Sequence, residues 1–164
     1  MQTRILALRS GLIALIAVCG SGTPVAHGAE PATQAVAKSL SEQKFENYPD
    51  APACFSGAVL SGDPDKGASL LVVKLKSGCV VPWHWHTPDE HMMFASGMGK
   101  MEMKDAKAVT LRSGAYAMMP SHHVHQFTCV SSCVIFFSSG GIFDTHYVGT
   151  DGNEIPATEA LKKR

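Results

Sequence analysis

His84-Trp85-His86 is followed by Glu90, and a second run rich in imidazole, Pro120-Ser121-His122-His123-Val124-His125, lies about forty residues downstream. Side chains alternate faces along a β-strand, so His84 and His86 project to one side if this stretch is extended. Two imidazoles one pleat apart, with a carboxylate a few residues on, can grip one divalent metal. Zinc, iron, manganese, nickel and copper all accept imidazole, and a carboxylate adds hardness and cancels charge. Period alone leaves two choices open. Glu90 and His91 face opposite ways on a single strand, so only one of them can join His84 and His86. His123 and His125 have equal parity, and both can face inward.

The elements that must position these groups are short strands. Segments 54–60, 69–76, 79–86, 91–95, 100–104, 109–111, 115–119, 125–130, 133–137 and 142–148 are rich in β-formers and separated by Gly, Ser, Pro and Asp. Lys100-Met101-Glu102-Met103-Lys104 alternates polar and apolar throughout, as a half-buried strand does. Ser61-Gly62-Asp63-Pro64-Asp65-Lys66-Gly67 is a strong turn signal. About ten strands without a long internal helix predict an all-β sandwich or barrel, with a short terminal helix near 156–163 and a helix-compatible stretch near 32–40. Inward positions of neighbouring strands converge on a barrel axis, where imidazoles from separate strands can meet.

The first residues have a different character. Arg4 and Arg9 precede the apolar run from Leu12 to Val18, and small residues lead to Ala26-His27-Gly28-Ala29. This is the layout of a secretory signal peptide, with cleavage expected after Gly28 or Ala29. The run is too short to span a bilayer, which takes about 20 apolar residues. The resulting division is 1–28 signal peptide, 29–52 leader, 53–150 barrel domain and 151–164 tail, in a secreted or periplasmic protein. The chain holds 14 basic and 14 acidic residues, and losing Arg4 and Arg9 makes it slightly acidic. Basic residues cluster only at Lys162-Lys163-Arg164, so no nucleic-acid surface is expected, and no membrane contact after cleavage. Cys54, Cys79, Cys129 and Cys133 remain, and four cysteines allow three pairings. Cys129 and Cys133 flank an apparent tight turn and can face each other across a hairpin, or each can be a small buried hydrophobe.

The stretch Gly78-(five residues)-His84-Trp85-His86-(three residues)-Glu90-(six residues)-Gly97 resembles the first motif of the cupin superfamily, G-x5-HxH-x3,4-E-x6-G, at every fixed position. Gly114-(five residues)-Pro120 followed by His125 is similar to the second, G-x5-PxG-x2-H-x3-N, with sixteen residues between the motifs. His122 stands where the family has Gly, and Cys129 where it has Asn. The resemblance covers about 69–137 and implies a cupin-type jelly-roll β-barrel holding a metal through His84, His86, Glu90 and His125. The run Pro82-Trp83-His84-Trp85-His86-Thr87-Pro88-Asp89-Glu90 is similar to small secreted single-domain cupins of unassigned function.

Two functions follow from that ligand set. One is a mononuclear metal-dependent oxidoreductase, dioxygenase-like, acting on a small oxygen-donor substrate, with iron or manganese favoured and zinc, nickel or copper as alternatives. The other is a non-catalytic periplasmic module that binds a metal or small ligand. No separate nucleophile or acid/base is visible, so no catalytic residue is assigned. Trp83 and Trp85 alternate against the histidines and are expected to point away, as packing or homodimer-interface residues. His91 is expected to face outward, and His122 and His123 to sit in a solvated turn or serve as supporting donors. Asp144 and His146 share a strand face near the barrel mouth. Met92, Met93, Met98, Met101, Met103, Met118 and Met119 are expected to fill the core, though thioethers also suit Cu(I).

Overall fold

Leu71, Val73 and Leu75 recur with a period of two, and all three are buried in one core with Met92, Phe94, Met101, Phe127, Ile135 and Phe137. In the computed structural model, which describes residues 34–162, that core fills an all-β, antiparallel jelly-roll barrel. The signal-peptide assignment at 1–28 lies outside the described residues, as does the start of the stretch 32–40. The described part of that stretch is not helical until one 3-10 turn at Leu40–Glu42. No helix among the described residues is long and apolar enough to cross a membrane.

The strands are β1 (Phe55–Gly62), β2 (Ser69–Leu75), β3 (Val80–Trp85), β4 (Glu90–Met103), β5 (Val109–Arg112), β6 (Tyr116–Met119), β7 (His125–Ser139), β8 (His146–Val148) and β9 (Glu154–Ile155), followed by helix α1 (Ala157–Ala160). Hydrogen bonding runs β1-β2-β7-β3-β8-β9, and β4 pairs with β5, β6 and β7. The Cys54–Cys79 disulfide ties the approach to β1 to the approach to β3.

Two expected turns are bends within long strands. The glycines at 97 and 99 do not end a strand, and Ser131-Ser132 does not make a hairpin. Instead β4 and β7 run antiparallel along their whole lengths, with register shifts between Phe94 and Gly99. At this corner β7 changes its other neighbour. Residues 133–139 pair with β2, whereas residues 125–128 lie beside β3. Glycine signals a break in either case, and only the tertiary pairing tells a bend from a turn. Cys129 and Cys133 are therefore bonded within one bent strand rather than across a hairpin.

Close approach explains Gly97. Its φ is +87°, and a Cβ there would stand 2.3 Å from the Ser132 carbonyl oxygen. Gly78 also has a left-handed φ, +77°, but open space around it. Gly78→Ala is expected to cost about 1 kcal/mol, the left-handed penalty alone. Gly97→Ala should cost about 1 to 3 kcal/mol more, since backbone must shift to admit the methyl. Urea unfolding of both variants, read at unchanged slope, measures the difference.

Candidate metal centre

Strand alternation and one irregularity bring the imidazoles together. His84 on β3 sits opposite His125 on β7, and opposite Tyr147 on β8. The β3–β7 register shifts between Val81 and His84, at Pro82, which has no N–H to give a ladder. His86 follows the end of β3 on the same inward face, and Glu90 opens β4. All four side chains are buried, with exposures of 4%, 4%, 8% and 2% for His84, His86, Glu90 and His125.

The three imidazoles offer ligand nitrogens that all lie within 4.8 Å of one another, so they could hold a metal ion. Glu90 borders them: its Oε2 is 3.4 Å from His125 Nε2 and 3.7 Å from His86 Nε2. Each ring is oriented from behind by a backbone carbonyl. His84 Nδ1 meets the Pro82 oxygen at 2.6 Å, His125 Nδ1 the His123 oxygen at 2.8 Å, and His86 Nδ1 the Asp144 oxygen. A carbonyl only accepts, so Nδ1 carries the proton in each ring and Nε2 keeps its lone pair. This is the arrangement that prepares histidine as a metal ligand.

Two buried polar atoms, His86 Nε2 and Glu90 Oε2, have no hydrogen-bond partner. Leaving a buried acceptor unpaired costs about 1 to 3 kcal/mol. A cation between them satisfies both, and three nitrogens with one carboxylate oxygen suit a divalent transition metal. The residues present therefore fit the metal that the sequence pattern implies.

Beyond these groups the cavity, about 90 Å³ in volume, is apolar, walled by Val73, Met101, Phe127, Ile135 and Phe137. Phe143 stacks on His86 at 4.4 Å and leans on Phe137. The Tyr147 hydroxyl also belongs to the lining, but it donates to the Asp50 carbonyl at 2.8 Å, and burial pushes its pKa up to about 12. Phe143, Thr145, Tyr147 and Asp50 line the cavity without any signal in the sequence. They come from irregular segments and a three-residue strand, which carry no usable period.

Outside the barrel, Trp85 lies between two imidazoles. His146 stacks on it at 3.9 Å and 4°, and His122 at 4.4 Å and 25°. Trp85 thus points away from the imidazole cluster, as alternation requires. His122 has φ +61°. The turn after Pro120 keeps the left-handed conformation that glycine supplies elsewhere, here with a side chain packed on an indole. The His122 N–H donates to the His86 carbonyl at 2.9 Å, and Ser121 N–H to Asp89 Oδ1 at 2.7 Å. The Asp144 carboxylate accepts from the Thr87 N–H at 2.7 Å and from the Thr87 hydroxyl. The segments carrying His86, His125 and Asp144 are therefore stitched together. Asp144 serves the site through its carbonyl, a role no side-chain pattern discloses. His123 likewise contributes a carbonyl rather than a ring, and His91 faces outward as expected.

Burial, aided by repulsion from His125 and His86, pushes His84 well below the ordinary imidazole pKa of 6.5, and burial lowers His86 as well. Burial alone would raise Glu90, but the imidazoles around it, His86 and His125 above all, outweigh burial and hold the carboxyl at about 2. Each shift means that the unfolded chain binds more protons than the folded one, so acid destabilises. The two histidines contribute stability that is complete above 6.5 and lost below it. The Glu90 contribution is present above 4.5 and lost as pH falls toward 2. Chelator-treated protein should show a melting temperature that falls as pH drops from 7 to 4. His84→Gln should flatten the upper part of that slope in calorimetric scans.

Residues 71–139 match the family described as Cupin domain. None of the curated proteins matches the chain. Among solved structures it resembles an RmlC-like cupin from Ralstonia eutropha, with 14% identity, a TM-score of 0.59, and coverage of 74% of this chain and 77% of that one. A cupin-like protein from Thermotoga maritima gives 15% identity and 0.58, covering 77% of this chain and 100% of that one. KdgF from Halomonas sp. gives 19% and 0.52, covering 62% and 91%. At such identities the likeness concerns the fold alone. The segment 71–139, which spans β2 to β7 of the jelly-roll barrel, is a cupin domain, and the solved structures share its fold.

Proposed function

We propose that the protein is an exported, mononuclear metal-dependent oxidoreductase, dioxygenase-like, acting on a small oxygen-donor substrate. The observation that carries this reading is the orphaned pair His86 Nε2 and Glu90 Oε2 beside two further imidazoles whose Nε2 atoms are freed by their carbonyl bonds. His84, His86, His125 and Glu90 would hold one divalent metal, iron or manganese ahead of zinc, nickel or copper. When bound, it would supply redox or Lewis-acid chemistry to an oxygen donor beside it.

The rest falls to the chain. A cavity of about 90 Å³ is far below the 300–1,000 Å³ typical of sites for drug-sized ligands, so the substrate is a molecule of a few heavy atoms. Its non-coordinating part meets Val73, Phe127 and Phe137, which exclude water. Glu90, an anion under ordinary conditions, borders the imidazoles and would take a proton from a substrate hydroxyl only when it swings off the metal. Export is supported by the sequence of 1–28 and by the disulfides Cys54–Cys79 and Cys129–Cys133, which persist in oxidising compartments.

A second reading, a non-catalytic metal or ligand carrier, is favoured by one observation. The Tyr147 hydroxyl is already engaged by Asp50, which leaves the wall beyond the ligand cluster nearly free of proton-transfer groups.

The test is metal analysis of protein isolated from the export compartment, with oxygen uptake followed on diketones, catechols and thiols. Substrate-dependent uptake with bound iron is expected. Full metal occupancy without turnover of any of these would transfer the protein to the carrier reading. His84→Ala should empty the site, and Glu90→Gln should weaken metal binding by about 10- to 100-fold. A His84→Ala variant that keeps its metal contradicts both readings.

A further inference from the structure

The methionines among the described residues fall into buried, half-buried (Met98 and Met103) and exposed positions. Met92, Met101 and Met119 are 5%, 1% and 4% exposed, as core packing requires, but Met93 and Met118 are 44% and 42% exposed. Methionine is among the residues most often buried. Two thioethers facing solvent side by side are not accounted for by the packing that explains the rest.

Their surroundings are specific. β4 and β6 pair so that His91 stands opposite Met118 and Met93 opposite Tyr116. These four side chains share the outer face of the sheet, and Glu90, Met92 and Met119 take the inner one. The sheet itself therefore separates this group from the barrel cavity. Directly opposed side chains on such a pair have Cβ atoms about 5 Å apart and diagonal ones about 7 to 8 Å, within reach of long side chains. Methionine has three rotatable bonds, enough for both sulfurs to swing to one point. On the β7 side the neighbours of His91 and Met93 are Ser138 and Phe136, so no charge flanks the group there.

The imidazole is already oriented. His91 Nδ1 lies 2.7 Å from the Tyr116 hydroxyl, with the rings 28° apart in plane. In the tautomer whose Nδ1–H donates to the phenol oxygen, Nε2 keeps its lone pair for a metal. Two thioethers and one imidazole form a neutral, soft donor set without a carboxylate. Thioether ligands select Cu(I) over hard dications.

We propose that His91, Met93 and Met118 form a surface site for a soft monovalent cation, Cu(I), on the outer face of β4 and β6. Tyr116 is the positioning residue for the His91 ring. This site is separate from the barrel centre and does not depend on its metal or activity.

The experiment supplies Cu(I) anaerobically to the isolated protein in competition with a chromophoric Cu(I) chelator. The native chain should withdraw one equivalent that the Met93→Leu/Met118→Leu double variant does not. The double variant should lose more than about 100-fold in affinity, beyond the usual effect of losing a supporting contact. Its melting temperature should be unchanged, because neither residue is buried. His84→Ala should still take up this equivalent. Ag(I), a redox-inert probe, should shift the methyl resonances of Met93 and Met118 and leave those of Met92 and Met101 in place. Equal copper uptake by the double variant would overturn the proposal, as would unmoved Met93 and Met118 methyl signals. If the double variant loses a dimer while copper uptake is unaltered, the patch is an interface between copies and the proposal fails.

Discussion

Three bonds from imidazole Nδ1–H to main-chain carbonyls govern this molecule. Each fixes a tautomer and a ring orientation at once, and each acceptor belongs to backbone that the sheet or its adjoining loops hold still. Side-chain acceptors would leave rotamers to choose; a carbonyl two residues upstream, as at Pro82 and His123, leaves almost none. The His86 bond is different in kind, because its partner Asp144 lies 58 positions away. That contact makes the closing segment before β8 part of the support of the imidazole cluster.

The outer layer around Trp85 follows from the same need. His122 keeps a backbone conformation that costs a non-glycine residue about 1 to 2 kcal/mol. It makes a ring stack on Trp85 and donates its N–H to the His86 carbonyl. On the other face of the indole, His146 stands between the Asp144 and Glu154 carboxylates, both at 3.2 Å. Burial alone would lower its pKa, and the two acids raise it. Its ring lies flat on the indole. The indole therefore packs both segments that border the site, although it never faces the cavity.

Much of this was legible in the chain, and for identifiable reasons. Strand alternation placed His84 and His86 together and sent Trp85 outward, because period two is strict wherever one face is buried. The motif pattern singled out Glu90 over His91 and His125 over His123, two choices that parity left open. The long strands were less legible. Gly97, Gly99 and the Ser131-Ser132 pair look like breaks locally, and only the partner strand turns them into bends. The supporting carbonyl of Asp144 and the hydroxyl of Tyr147 were invisible, since backbone acceptors leave no mark in residue type. The methionines were read as one population, yet Met93 and Met118 sit on the odd phase of their strands and face solvent.

The full-length pairing of β4 with β7 has a kinetic side. Its residue partners are separated by 22 positions at Met103–His125 and by 49 at Glu90–Ser139. Such distant pairings must close large loops before they return any free energy, so the chain is of the slow-folding, high contact-order kind. His125 enters the barrel on the same strand that completes this ladder. The cavity and the global fold are thus one cooperative unit: amides beside His125 should exchange with solvent only through whole-molecule opening, and no partly folded species can carry a finished ring of imidazoles.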